Sequence, residues 1–555
     1  MHPSTQHHHP ADIDTTAHLD AVVVGAGFGG LYALHKLREL GLKVRAYERG
    51  DDVGGTWYWN RYPGLHCDIE TQSYSFNFDQ EMFNGWRWSS RFAPQAEILE
   101  YARYVADTLD LRDDIAFGTS IVSAHYDETR AVWRLTLDDG DVVTATYFLP
   151  AVGILCELNI PQMPGMENFE GSIYHTANWP AEQIDLTGRR VGVIGTGSSG
   201  VQLVCALSPA VGELRVFQRT AQYVTPARQR RLSDAEVQVW KSTLPELRER
   251  MRSTAFCALG TTAEKSVHDD SPDERLRVFE EAWESGAQAI TDASYNDIAI
   301  DKAANEIVAD FVKGKIRATV EDPRTAEKLI PNYYFKTRRP VIADGYYEAF
   351  NRDNVHLVDV KATPIHEFTP KGIRTADGTE HELDVIVFAT GYDGVTGGLF
   401  NMDIRGRGGA SLKEAWDGGA RVRSYLGVNT NGFPNMFPVQ GPMSPGVATS
   451  YICGVEVNVD FITGFIDHLR RNDIVAAEAD ETAESAWTAR VQQIYNSTLL
   501  PHTESWWNGS NVDGKARYEN YAVFLGGISA YQQFLAAEIE SGYSGFVTSH
   551  HAAVV

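Results

Sequence analysis

Positive charge is scarce in this sequence: 49 Lys and Arg stand against 74 Asp and Glu over 555 residues, a formal net charge of −25. A protein that grips nucleic acid of any sequence needs a basic surface to release counterions, so that class of partner is set aside. Cysteine is sparse as well. The five cysteines, Cys67, Cys156, Cys205, Cys257 and Cys453, include no CxxC pair, which argues against a disulfide framework or a zinc site and for a reducing, cytoplasmic setting. Long apolar runs are missing too. Stretches such as Ala21–Leu34 are broken by glycines and polar residues and fall short of a membrane span, so no membrane partner is expected. The N-terminus carries His7, His8 and His9 but lacks the basic and apolar regions of a signal peptide, so residues 1–18 read as a flexible tail.

What is present is the composition of a folded enzyme, 43% hydrophobic and 22% charged, in a chain too long for one hydrophobic core. From Leu19 to Glu48 the order is strand, tight turn, helix, strand. A second copy of that βαβ pattern begins near Arg190 with VGVIGTGSSG and returns as ELRVFQR. Two such units predict an α/β protein with two Rossmann-like dinucleotide-binding domains. Between Leu232 and Leu329 the sequence turns charged and helix-favouring, with Ser233 and Glu236 spaced as a capping box, which predicts a helical insertion in the second domain.

The first fingerprint is Gly25-Ala26-Gly27-Phe28-Gly29-Gly30, set between a Val-rich strand and a helix, with Glu48 ending the next strand. Gly25 permits the turn, Gly27 lets backbone approach a pyrophosphate, Gly30 allows close helix packing, and Glu48 suits ribose hydroxyls. The second fingerprint, Gly195-Thr196-Gly197-Ser198-Ser199-Gly200, has the same context, but its following strand closes with Phe217-Gln218-Arg219-Thr220 and no carboxylate. An acid there would repel a 2′-phosphate, whereas Arg219 can pair with one, so this half is read as binding NADPH through Gly195, Gly197, Ser198, Gly200, Arg219 and Thr220.

Between the fingerprints, Phe169 to Pro180 fits the pattern FxGxxxHxxxWP, with His175 at its centre. This run resembles the signature of the Baeyer–Villiger monooxygenases, flavoproteins that convert ketones to esters or lactones. The likeness spans roughly residues 19–548: Gly54-Gly55-Thr56-Trp57-Tyr58-Trp59-Asn60-Arg61-Tyr62-Pro63-Gly64 is similar to the family's flavin-domain motif, and Ala389-Thr390-Gly391 to its second-domain end motif. The resemblance implies FAD and NADPH as cofactors, with Thr56 and Trp57 at the flavin. It also implies a ketone and O2 as reactants, joined through a C4a-peroxyflavin. Arg339, in Lys336-Thr337-Arg338-Arg339-Pro340, matches the family's catalytic arginine, and Asp68 matches the aspartate that pairs with it. A guanidinium keeps its proton at working pH and stabilises oxyanions, which is what the reaction requires. Arg338 falls where the family often has a lysine near the 2′-phosphate, Trp506 on a mobile loop near residues 499–514 that closes over the cofactor, with Trp507 beside it so that one of the two packs and the other gates, and Gly446, Val447 and Ala448 along the substrate pocket. His175 is implied to couple domains rather than to transfer oxygen.

The family's layout implies an FAD domain built from both chain ends: residues 1–18 as tail, 19–150 and 391–555 as FAD domain, 151–228 and 331–390 as NADP domain, and 229–330 as the insertion, in a monomer or weak oligomer. A flavin monooxygenase acting on nitrogen or sulfur would share both fingerprints, and some sulfoxidation is expected of this scaffold. A pyridine-nucleotide disulfide reductase would need a redox cysteine pair, which is absent, and a non-catalytic flavin sensor would not need Arg339 and Asp68.

Overall fold

The structure is a computed structural model that describes residues 18–260, 263–512 and 517–550. Positions 1–17 of the N-terminal tail, and positions 513 and 514 of the loop, therefore lie outside the described residues.

The first unit forms where its apolar pattern requires. Strand β1 (His18–Val24) is followed by helix α1 (Phe28–Glu39) and strand β2 (Val44–Tyr47), and Ala21, Val22 and Val23 are fully buried, as in a parallel sheet covered on both faces. Strands β3 (Ile115–Ala116), β4 (Ile121–Asp127), β5 (Val132–Leu137) and β6 (Val142–Pro150) extend the sheet. In the second unit, strand β7 (Ser172–His175) precedes β8 (Arg190–Ile194), helix α2 (Ser198–Leu207) and β9 (Glu213–Gln218), and β10 (Val355–Asp359) and β11 (Val385–Phe388) follow the insertion. Its order is β10-β9-β8-β11-β7, parallel throughout. The chain then returns to the first sheet as β12 (Asp403–Arg405), giving the order β12-β4-β5-β6-β1-β2-β3. The two doubly wound sheets are as the two fingerprints predict.

Among the described residues no strand lies between Thr225 and Val341. Helix α3 (Asp234–Ser242) opens on the predicted capping box, with Ser233 Oγ accepting from the Glu236 N–H and the Glu236 carboxylate accepting from the Ser233 N–H at 3.0 Å. Packing divides the insertion in two. Helices α3 and α4 (Leu244–Ser253) place Val237, Leu244, Leu247 and Met251 in the core of the first sheet's domain. Helices α5 (Pro272–Ser285) and α6 (Lys302–Thr319) build a separate core of Phe279, Val308 and Val312 with Tyr223 and Phe335.

One sequence expectation is corrected here. Cys257, just after α4, forms a disulfide with Cys453 in helix α7 (Tyr451–Arg471), with Cα atoms 6.3 Å apart and both residues fully buried. The partners stand 196 residues apart, so no local spacing in the sequence pairs them. No helix among the described residues is long and apolar enough to cross a membrane.

Candidate active site

Both glycine turns leave bare backbone where a phosphate would approach. Gly25 has φ +104° and its added Cβ would meet Ala151 O at 2.7 Å, while a Cβ on Gly30 would collide with Gly25 O. Across the turn, a Cβ on Gly55 would lie 2.9 Å from Gly27 Cα, so two glycines face each other at the mouth of the site. Gly27 caps α1 without a side-chain hydrogen bond, which leaves the first N–H groups of the helix directed at that mouth. Glu48, 5% exposed, accepts from Ala26 N at 2.7 Å and from Gly50 N at 2.8 Å. Its carboxylate braces the turn, and the remaining lone pairs can accept ribose hydroxyls. Thr56 lies exposed beside Gly55, and Trp57 is buried with its indole N–H on Tyr74 OH at 3.0 Å. These features suit a flavin dinucleotide.

The second turn repeats the construction. Gly195 has φ +110°, a Cβ on Gly200 would strike Gly195 O, and a Cβ on Gly197 would meet nothing within 4 Å. Gly197 caps α2 without a side-chain bond, and Ser198 is the first residue of that helix. Thr196 Oγ1 donates to Thr220 O at 2.7 Å, drawing the turn against the end of β9. Just beyond β9, the exposed Arg219 lies close enough to Arg338 to act on it. Burial lowers the Arg338 pKa, Tyr333 opposes that shift, and the Arg219 charge adds to it. Arg338 lies over the Tyr333 ring at 4.8 Å, and its Nε is buried without a hydrogen-bond partner. Two cations within electrostatic reach of each other, one of them with an unpaired donor, suit the 2′-phosphate of NADPH.

Arg339 donates from Nε to Asp68 Oδ2 at 3.0 Å and from Nη2 to Asp68 Oδ1 at 2.8 Å, a bidentate pair, and from Nη1 to Val447 O at 2.6 Å. Burial disfavours its charge, but the surrounding groups, Asp68 foremost, more than offset this and raise the arginine's pKa. The guanidinium is therefore charged at any working pH. The segment that leads to Asp68 is tied to the second domain: Tyr62 OH donates to Gln202 Oε1 of α2 at 2.8 Å, and Gln202 Nε2 donates to His66 O at 3.0 Å. Gly446–Ala448 form a short 3₁₀ turn whose carbonyl at Val447 fixes the arginine, with Ala448 packing toward Tyr521 and Val523.

His175 stands elsewhere. Its Nδ1 accepts from Ala177 N at 3.1 Å, so Nε2 carries the proton and points at Thr390 Oγ1, 3.3 Å away. Thr390 Oγ1 in turn donates to Asn159 O. Burial lowers the histidine's pKa to about 4, so the ring is neutral. None of its hydrogen bonds reaches Arg339 or Asp68, and Trp179 packs on Tyr174 at 5.3 Å.

The structure adds residues for which the sequence carries no local signal. Thr337 Oγ1 and Thr503 Oγ1 meet at 2.7 Å, joining the Arg338-Arg339 segment to the loop near Trp506. On that loop Trp507 packs with Tyr495, Leu500, Tyr521 and Val523, whereas Trp506 faces Gly394, whose added Cβ would lie 3.1 Å from the indole.

Residues 19–234 match the flavin-binding monooxygenase-like family. The chain is 42% identical over 539 residues to a Baeyer–Villiger monooxygenase of Pseudooceanicola batsensis, covering 97% of each. It is 43% identical over 538 residues to phenazine N-monooxygenase PhzNO1 of Lysobacter antibioticus, covering 97% of this chain and 98% of the relative. Among solved structures, cyclohexanone monooxygenase from Rhodococcus sp. Phi1 bound to NADP+ superposes with a TM-score of 0.94 at 42% identity, over 96% of this chain and 99% of that one.

Proposed function

The chain belongs to the Baeyer–Villiger monooxygenases, and from that premise we propose that it inserts one oxygen atom of O2 beside a ketone carbonyl, with Arg339 as the cation that makes the insertion possible. The net change is ketone + O2 + NADPH + H⁺ giving ester or lactone + NADP⁺ + H2O. Bound FAD, reduced by NADPH, supplies the two electrons that turn O2 into a nucleophilic oxygen.

The chain's own residues do the rest. Gly27 and Gly55, at the N-terminus of α1, would hold the pyrophosphate of FAD, and Gly197, at that of α2, would hold the pyrophosphate of NADPH. Arg219 and Arg338 hold the 2′-phosphate and select NADPH over NADH. Attack on a carbonyl needs an oxygen that stays negative, and it creates a second negative oxygen on the former carbonyl. Arg339 presents fixed N–H donors to both without giving up a proton. Asp68 and the Val447 carbonyl keep the guanidinium in one plane and offset the cost of desolvating it. Gly446, Val447 and Ala448 border the ketone beside that cation, the loop with Trp506 limits access of water, and His175 ties the signature run to the end of β11.

The single observation that carries this reading is the bidentate Arg339–Asp68 pair fixed by Val447. Incubating the holoenzyme with NADPH and a series of cyclic, aryl and steroidal ketones tests it. Ketone-stimulated NADPH oxidation with ester or lactone in the product is expected. A second reading, oxygenation of nitrogen or sulfur, draws on the phenazine N-monooxygenase relative. N-oxide formation from phenazines with no ester from any ketone would favour it.

A further inference from the structure

We propose that Gln222 is a positioning residue that places Arg339 according to whether the phosphate clamp of Arg219 and Arg338 is filled. The inference rests on the reading of Arg339 as the oxygenation cation. Gln222 follows Arg219 by three positions and is 7% exposed. Its Nε2 donates to the main-chain oxygen of Arg339 at 3.0 Å, and its Oε1 accepts from Tyr333 OH at 2.7 Å. A carbonyl oxygen can only accept, so the Gln222 amide has one allowed orientation and Tyr333 OH must be the donor. The Tyr333 ring lies under the Arg338 guanidinium. One amide thus touches the neighbour of the clamp on one side and the backbone of the oxygenation arginine on the other.

The backbone at Arg339 is where such an anchor has most effect. Pro340 restricts the preceding residue to extended conformations and offers no N–H of its own, so the direction of the Arg339 carbonyl governs how its side chain leaves the segment. Tyr347 OH donates to Gln222 O at 3.0 Å and fixes the glutamine's main chain, which leaves its amide as the adjustable link. An anion drawn to Arg338 shifts that guanidinium over the Tyr333 ring, and the Tyr333 hydroxyl and Gln222 amide carry the shift to Arg339. An apolar residue of similar volume would fill the space equally well but carry no direction, so the two hydrogen bonds, rather than packing, identify the role.

Two variants separate this from a structural role: Gln222→Met keeps the volume and removes both bonds, and Tyr333→Phe keeps the ring under Arg338 and removes the hydroxyl that donates to Gln222, together with the longer 3.4 Å bond it accepts from Tyr223 N. Three quantities are measured on the holoenzyme: NADP+ affinity by calorimetry, the partition of NADPH electrons between ester and hydrogen peroxide, and deuterium exchange of segment 334–343 with and without NADP+. We expect full FAD content and NADP+ affinity within a few-fold of wild type. Ester per NADPH should fall about tenfold with hydrogen peroxide making up the difference, short of the roughly hundredfold that a full 1 Å misplacement costs. The protection that NADP+ confers on segment 334–343 should be lost in both variants. Wild-type partition and wild-type protection in Tyr333→Phe would overturn the proposal, even if Gln222→Met failed to fold. Should the wild type make no ester from any ketone, the proposed function fails, while the exchange measurement still decides for or against the Gln222 link.

Discussion

Arg339 and Asp68 stand 271 residues apart in the chain and meet through two parallel hydrogen bonds of 3.0 and 2.8 Å. Their side chains keep 21% and 24% of their exposure, so the pair is neither sealed in the core nor free in solvent. That position lets the guanidinium face a reactant while its carboxylate holds it from behind. Replacing Arg339 with Ala should leave FAD and NADP+ bound but cut ester formation a hundredfold or more, since losing one preorganised donor to a developing oxyanion costs about 3 kcal/mol. Arg339→Lys should recover only part of it, because an ammonium lacks the planar fork. Product analysis with a cyclic ketone checks both, and wild-type turnover in Arg339→Ala would refute the assignment.

Removing the carboxylate isolates orientation from charge. In Asp68→Ala the arginine keeps its charge and its bond to Val447 O but loses two of its three contacts. Hydrogen bonds to charged groups contribute about 1.5–3 kcal/mol, so ketone oxygenation should slow by roughly ten- to a hundredfold with FAD retained. Chromatographic yield of ester per bound FAD is the measurement. An unchanged yield would remove Asp68 from the site.

The clamp predicts cofactor preference. Arg219→Ala and Arg338→Ala should each raise the Michaelis constant for NADPH by about tenfold or more, from the strength of a single charge-assisted contact, and leave that for NADH nearly unaltered. Because the two guanidiniums lie close enough to repel, an anion between them relieves that repulsion as well. Raising the salt concentration should therefore weaken NADPH binding in the wild type more than in either variant. Equal losses with both nucleotides would mean that neither arginine reads the phosphate.

How much of this was legible in the sequence follows from the distance over which each feature is built. The glycine turns and the Ser233–Glu236 box are local, with every partner inside one strand, turn and helix, and both form as their spacing predicts. Asp68 and Arg339 are legible only through likeness to a family; nothing in their own surroundings in the chain pairs them. The Gln222–Tyr333, Thr337–Thr503 and Cys257–Cys453 contacts span 111, 166 and 196 residues and join hydroxyl, amide or thiol groups too common to stand out. The divided packing of the insertion was equally hidden, because amphipathic helices show that one face is buried without saying against what.

Packing also separates the two adjacent tryptophans. Trp507 contributes to a cluster with Tyr495 and Tyr521, rings that stack on each other at 4.0 Å, so Trp507→Ala should cost about 2 kcal/mol of stability, below the range for a fully buried ring because it is only partly buried. Trp506 faces Gly394 outside that cluster. Its replacement by Ala should change stability little but weaken NADP+ binding and raise hydrogen peroxide release during turnover. Urea unfolding paired with NADP+ titration tests the division, and the opposite pattern would exchange the two roles.

The environment of His175 ties stability to pH. Its pKa falls from an ordinary 6.5 to about 4 in the folded protein because burial disfavours the imidazolium, and both ring nitrogens are already engaged, one accepting from Ala177 N and the other donating toward Thr390. Between those two values the unfolded chain binds a proton that the folded chain refuses. Stability is therefore complete above pH 6.5, declines as pH falls toward 4, and loses nothing further from this residue below that. At pH 5 the loss attributable to His175 is about 2 kcal/mol, taking 1.36 kcal/mol per unit of pKa difference. Burial also lowers the pKa of His35 and His381, so the wild-type slope is a sum, and a single variant is needed to extract one contribution. His175→Gln keeps a neutral donor and acceptor at the position but cannot take up the proton. Urea unfolding at pH 7.5 and pH 5 should show the wild type losing about 2 kcal/mol more than the variant across that interval. If both lose the same amount, the imidazole is protonated as readily in the folded state as in the unfolded one, and the neutral, buried link between the signature run and Thr390 is refuted.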